Sequence, residues 1–459
     1  MSLAESLREL ELLRYRWVDL ANVVRAKGLV LPTIRERLFA GGVGHWSHEE
    51  PGGPAQTAEE HLRELLATSV TISQAQFSLP VTADVVTPAA DLPPTHDLTL
   101  VPDLGSLVPL PYAPGQAAVA CDVLDHGEPS PLCLRSFVRR VVDRAAQSGL
   151  RPRVGVELEF ALLRASDGGH PQPADSSTYA AENAFDVHEE FLAEVLAVLG
   201  SQRVSVAQIH PESAPGQFEI SLWHLDPVAA ADAVISARQT IKAVAGRHGM
   251  IASFLPVVDP GSGGSGMHLH LSLTGDADDG LADAERPFIG GVLESLPALL
   301  AITAPTPMSY ERFRPHFWAG AYSGWGYENK EMPLRVTRNA DGRSRDVEYK
   351  AIDATANPYL AIGALLAVGL DGITRQVAPP PAVVGDPGLL DEQERAAAGI
   401  VPLPESPAAP LAALADHDSL RRALGEDLHH AYLAVKRSES AELEQMDPTS
   451  RRNLLLARY

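Results

Sequence analysis

The chain has 459 residues, about three times the roughly 150 of a usual single domain, so two domains and a large core are expected. It is 45% hydrophobic and 21% charged, with a mean hydropathy of −0.04, as a globular protein should be. Its 37 basic against 59 acidic residues leave a net charge of −22, which argues against non-specific nucleic-acid binding and anionic membrane surfaces.

In chain order, Leu3, Leu7, Leu10 and Leu13 have helical spacing, so residues 3–13 read as a helix. Tyr15 to Leu20 and Val23 to Val30 read as a hairpin around Ala21-Asn22, and Ile34 to Phe39 as a short helix. A Pro-rich stretch leads to strands at His96 to Val101 and Ala117 to Asp122, separated by a Pro/Gly segment at 108–115. That segment is the expected boundary: an α+β unit over 1–112 and a larger domain over 113–459. In the second unit, Leu132 to Ser148, Val187 to Leu199, 227–248 and Tyr359 to Thr374 read as helices. Val154 to Leu162, Gln217 to Leu222, Phe254 to Val258 and Met267 to Leu273 read as strands. Segment 376–410 reads as a surface excursion, and helices fill 411–459.

No stretch reaches the ~18 apolar residues of a membrane span; the longest, Pro358 to Leu370, stops at Asp371. The start, MSLAESLRELELL, lacks the basic and apolar order of a signal peptide, so a cytoplasmic protein is expected. Two cysteines, Cys121 and Cys133, support neither a disulfide framework nor a Cys-rich zinc site.

Gly261, Gly263 and Gly266 fit G-x-G-x-x-G, but a dinucleotide site needs a helix next. Met267-His268-Leu269-His270-Leu271-Ser272-Leu273 follows instead, and its alternation makes a strand. His268, His270 and Ser272 then share one polar face. Glu157 and Glu159 repeat that arrangement around Leu158, as do Glu348 and Lys350 around Tyr349; Glu212 and Glu219 bracket a turn leading into a strand. Several strands thus point carboxylates and imidazole into one cavity. Crowded carboxylates resist ionising, and a divalent cation resolves that conflict. Oxygen-rich sites suit Mg²⁺ or Mn²⁺ rather than zinc.

These segments resemble the glutamine synthetase family. Gly264-Ser265-Gly266-Met267-His268-Leu269-His270-Leu271-Ser272 is similar to its GSGMHxHxS segment, and Glu157-Leu158-Glu159-Phe160 to its E-x-E-F strand. Glu212 through Gln217 to Glu219, Ser309-Tyr310-Glu311-Arg312, Asn329-Lys330 with Arg335, and Asp353 to Ile373 resemble further family segments, in order. The resemblance implies an N-terminal β-grasp domain, then a catalytic domain whose curved antiparallel strands form a funnel flanked by helices. It implies a homo-oligomer, commonly a dodecamer of two stacked hexameric rings, with sites shared between neighbours. It also implies that ATP phosphorylates the γ-carboxylate of glutamate, after which an amine displaces the phosphate.

By the same resemblance, Glu159, Glu212 and Glu219 hold the ion nearest glutamate, while Glu157, His268 and Glu348 hold the ion on ATP, with two or three ions per site. Arg312 clamps the α-carboxylate, a task for a planar guanidinium. Arg335 contacts the transferring phosphate, and Lys330 and Lys350 serve beside it. Gly264 lets backbone approach the substrate. His270 and Ser272 are expected at the nucleotide.

Where ammonia-using members carry a glutamate six residues after the SYxR arginine, this chain has Trp318. The family's N-terminal ammonium-binding aspartate aligns with Trp46, although Glu49 or Glu50 could substitute. Lys330 and Lys350 replace arginines, which keeps charge but loses the planar fork. A small cation needs an anionic pocket, whereas indole offers an apolar face and cation–π attraction. The expectation is an ATP-dependent ligase joining glutamate to an organic amine through γ-glutamyl phosphate. The alternatives are an ordinary glutamine synthetase and a non-catalytic family member forming a structural or regulatory ring.

Overall fold

The computed structural model describes residues 7, 9–34, 63–64, 66–67, 70–166, 170–275 and 284–459. Trp46, Glu49, Glu50 and most of the two short N-terminal helices expected from the sequence lie outside these residues. Leu12 and Leu13, expected at the end of the first helix, instead open a strand, Leu12–Val18. Leu13, Tyr15 and Trp17 alternate onto one buried face, and that period of two overrides the helical leucine spacing.

This strand pairs with Val24–Val30 as the expected hairpin. Asn22 takes the left-handed conformation at its tip, φ 63°, which asparagine tolerates. The first sheet runs in the order 24–30, 12–18, 116–125, 97–102, 71–73. Leu12–Val18 and Gln116–Asp125 pair in parallel, while the other neighbours along this order are antiparallel. The boundary expected at 112 therefore falls inside the sheet. The Pro/Gly segment before it folds back, with Val108–Pro109 pairing Ala117 and Ala118.

Beyond it a second sheet runs in the order 206–211, 217–225, 150–164, 267–275, 344–349, 334–338, 325–327. All these neighbours are antiparallel except the last pair. Val154, Val156, Leu158 and Phe160 are buried on one face of Leu150–Arg164, leaving Glu157 and Glu159 for the other. Helices Leu134–Gln147 and Pro227–Arg247 cover the apolar side. The extended segment expected at 254–258 pairs only just before it, at Ile251–Ser253.

The buried helix Pro358–Arg375 is capped by Asn357, whose side chain accepts from the Tyr359 and Leu360 N–H groups. It packs on Glu285–Thr303, a helix the sequence reading missed because Gly290, Gly291 and Pro297 interrupt it. Gly291 is required there: a Cβ would collide with the Val368 carbonyl of the neighbouring helix. Asn22 donates to the Ala354 and Ala356 carbonyls, and Asn357 to the Asp19 carbonyl, so the hairpin tip is tied to the helix start.

Candidate active site

Register decides which polar groups meet on the concave face. Glu159 lies opposite Glu219, Glu157 opposite His268, and Glu348 opposite both His270 and Arg335. The result is a cavity of about 410 Å³ lined by every expected metal ligand and by Gly264, Arg312, Trp318, Lys330, Arg335 and Lys350. His270 and Ser272 are not in that lining. His270 is buried with Nδ1 2.9 Å from Asp346 and Nε2 3.2 Å from Glu157. The ring is enclosed by carboxylates, one of which, Glu157, also lines the cavity.

Three groups of donors form a chain of shared carboxylates. His210, Glu212 and Glu219 make the first, Glu219, Glu157 and His268 the second, and Glu157, His270 and Glu348 the third. In each group the ligand atoms lie within 4.8 Å of one another. These groups cut across the two sets implied by the resemblance. Glu159 belongs to none of them; it accepts from Gly266 N–H at 3.0 Å and Gln217 Nε2 at 3.1 Å, with His268 Nε2 3.5 Å away.

The electrostatics follow the crowding. Burial, then the charges of Glu157, Glu159 and Glu212, push Glu219 up to about 9. Burial and Glu212 also raise Glu159, against the pull of His268. Despite burial, His268 and His270 hold Glu157 well below the usual carboxylate range. Against burial, Asp346 and Glu157 raise His270 to about 10. Such a set fits divalent cations: two carboxylates and one imidazole per group suit Mg²⁺ or Mn²⁺, and a cation would supply the counter-charge that lets Glu219 ionise.

Cationic side chains face the same space. Arg312 donates from Nη2 to the Lys350 carbonyl at 2.7 Å, while its buried Nη1 has no hydrogen-bond partner among the described residues. Gly264 sits against it, and a Cβ there would meet the Arg312 side chain and the Pro256 carbonyl. Arg335 Nη1 and Lys350 Nζ both bond Glu348, at 2.9 and 3.3 Å.

Trp318 stands half exposed at the rim, with Tyr179 edge-on at 6.2 Å and Lys330 Nζ 5.0 Å above its ring. His316 and Trp318 both take left-handed backbone, φ 67° and 53°, which costs of order 1 kcal/mol each and needs support from neighbours. Glu331 is buried beside the loop, and the backbone of Trp318 and His316 draws its carboxyl down against the upward push of burial. Arg314 ties the loop to the Pro260 and Ser262 carbonyls.

Sequence reasoning missed His210, Tyr179, Asp346 and Glu331. His210 stands two residues before Glu212, a one-face spacing that could have revealed it. Asp346 likewise precedes Glu348 by two. Tyr179 and Glu331 sit outside any periodic pattern.

With this geometry in place, the comparisons with known proteins are specific. Residues 131–452 match the family model described as glutamine synthetase, catalytic domain. Gamma-glutamylpolyamine synthetase GlnA3 from Streptomyces coelicolor is 40% identical over 77% of this chain and 79% of its own length. Type-1 glutamine synthetase 1 from Dictyostelium discoideum is 30% identical over 95% of this chain and 87% of its own. A solved structure described as a GmaS/ADP complex superposes with a TM-score of 0.79 at 26% identity, covering 98% of this chain and 99% of that one. The chain belongs to the glutamine synthetase family.

Proposed function

We propose that the protein is an ATP-dependent ligase that joins the γ-carboxylate of glutamate to an organic amine through γ-glutamyl phosphate. The observation that carries this reading is Trp318 at the rim of a cavity lined by glutamates, with Tyr179 against it. The Streptomyces relative, by its name a γ-glutamylpolyamine synthetase, supports the same class of acceptor.

In this reading Arg312 binds the α-carboxylate of glutamate through the edge that has no partner. Gly264, with no side chain, lets the protein backbone approach the substrate beside it. Arg335, held by Glu348, offsets charge on the transferring phosphoryl group, with Lys330 and Lys350 beside it. Glu157, Glu159, Glu212, Glu219, His268 and Glu348 hold two or three Mg²⁺ or Mn²⁺ ions, and the shared groups add His210 and His270. Bound metal supplies Lewis-acid neutralisation of the phosphates and orients them in line. His270 and Ser272 are the proposed nucleotide contacts. Trp318 buries the carbon skeleton of the amine, each Å² of apolar area contributing ~25 cal/mol. Ammonium has no such surface.

The active form is a cytoplasmic homo-oligomeric ring, with Trp46 of a neighbouring copy completing the acceptor wall. An amine-panel assay of ADP release with glutamate present tests the reading. At least one primary amine should exceed ammonia at equal concentration, and Trp318→Glu should move the ratio toward ammonia. If ammonia wins over every amine, the protein is an ordinary glutamine synthetase. If no acceptor gives metal-dependent turnover, it is a non-catalytic family member.

A further inference from the structure

Outside the cavity, the first sheet brings together a second set of metal-binding side chains. His96 precedes the strand Asp97–Pro102, and Asp125 ends the adjoining strand Gln116–Asp125. These strands are antiparallel, with Thr99 opposite Leu124, so continuing that register sets Asp97 across from His126. His96 and His126 therefore converge: their rings meet edge to face at 5.6 Å. Both aim Nε2 at one oxygen, Asp125 Oδ1, at 2.9 Å and 3.7 Å.

We infer that His96, Asp125 and His126 form a site for a borderline-soft divalent cation of the Zn²⁺ class. The three ligand atoms lie within 4.8 Å of one another. Donors around a tetrahedral zinc at 2.0–2.1 Å are separated by about 3.3 Å, and the two measured separations bracket that value. Two imidazoles and one carboxylate select Zn²⁺, Ni²⁺ or Cu²⁺ over Mg²⁺. This donor set is thus the chemical opposite of the oxygen-rich cavity.

The turn that carries His126 supports the reading. Asp125 pairs with Glu128, leaving His126-Gly127 as a two-residue hairpin turn with φ 47° and 88°. Asparagine-glycine is the favoured pair for that conformation. Histidine there accepts left-handed backbone without a packing gain, because its side chain is 88% exposed. Its ring is instead directed at Asp125. His96 and Asp125 are each 33% exposed in their side chains, so the ion has an open path and its remaining position faces solvent.

The test is Zn²⁺ binding by equilibrium dialysis on the full-length protein in excess Mg²⁺. His126→Asn preserves the turn, since asparagine suits it better than histidine, and it leaves the catalytic cavity untouched. Wild-type protein should bind one Zn²⁺ per chain more than His126→Asn and than His96→Gln, with metal-dependent turnover in Mg²⁺ unchanged in both variants. Glu219→Gln, which alters the cavity, should keep that extra ion. Equal Zn²⁺ stoichiometry in wild type and both histidine variants would overturn the proposal. So would loss of the extra ion in Glu219→Gln alone, which would place it in the cavity.

Discussion

At the junction of the two sheets, Arg135 stands among Asp103, Asp122 and Asp232, bonded to them at 2.7, 3.0 and 2.8 Å. In the cavity, Glu157, Glu159, Glu212 and Glu219 face one another across adjacent strands. Both are carboxylate clusters, yet the cavity is divided: histidines hold Glu157 and Glu212 low against burial, while Glu159 and Glu219 are raised. Despite partial burial, Arg135 holds Asp103 below the usual carboxylate range, whereas burial and its neighbours drive Glu219 up to about 9. The junction carries its counter-charge in the chain itself. The cavity carries it for Glu157 and Glu348 but leaves Glu159 and Glu219 raised, a conflict that a bound cation would relieve. A structural ion cluster is complete as folded, while a site built for cations stays strained until loaded.

Removing a cavity carboxylate should show the largest effect. Glu159→Ala should reduce turnover at least ~1000-fold, the loss of roughly 4 kcal/mol of transition-state stabilisation. Folding should survive, because the substitution removes repulsion with Glu212 along with the hydrogen bonds from Gly266 and Gln217. Steady-state kinetics and thermal melting in the absence of metal check both halves. Full activity in this variant would remove the metal assignment and, with it, the contrast between the clusters.

The junction should answer in the reverse sense. Arg135→Met leaves Asp103, Asp122 and Asp232 without their shared cation, since Arg139 reaches only Asp103 and Asp122. Breaking a buried pair costs about 3–5 kcal/mol, and partly exposed partners put this one near the lower figure. Turnover per folded molecule should stay within about twofold. Denaturant unfolding with parallel activity measurement separates the two; an unchanged midpoint would mean that the network is ornamental.

The same contrast explains what was legible beforehand. Alternation along one strand is local, so Glu157 with Glu159, and His268 with His270, announced a polar face from the sequence alone. Which carboxylate meets which imidazole depends on register between strands far apart in sequence, so the pairing of His270 with Asp346 and Glu157 was out of reach. The parallel pairing of Leu12–Val18 with Gln116–Asp125 is equally non-local, and it carries the first sheet past 112. The helix at Glu285–Thr303 was hidden by glycines whose purpose appears only when the facing helix is present. His210 was within reach of the period-two argument; Glu331, in a loop, was not.

The smallest expected effect lies between the two regimes, at the cavity rim. Glu331 is buried beside the backbone of Trp318 and His316, with the His316 and Asp386 side chains facing it. Burial, then Asp386, raises its pKa above the ordinary 4.5. The ionised form attracts the backbone N–H dipoles of the strained rim loop. Glu331→Gln keeps the shape and an acceptor oxygen but loses the charge, about 1 kcal/mol of loop support. KM for the amine should rise about fivefold, with KM for ATP unchanged, because the loop carries Trp318 and no metal ligand. The pH dependence has a definite sign. A raised pKa means that the wild-type carboxylate is ionised only above it, so amine KM should worsen as pH falls through that value. The glutamine variant should lack this step, and the ratio of the two profiles isolates Glu331 from the substrate's own titration. Matching profiles for wild type and variant would show that the loop holds its shape without the charge. Trp318 would then be positioned by packing alone, through Tyr179 and Lys330.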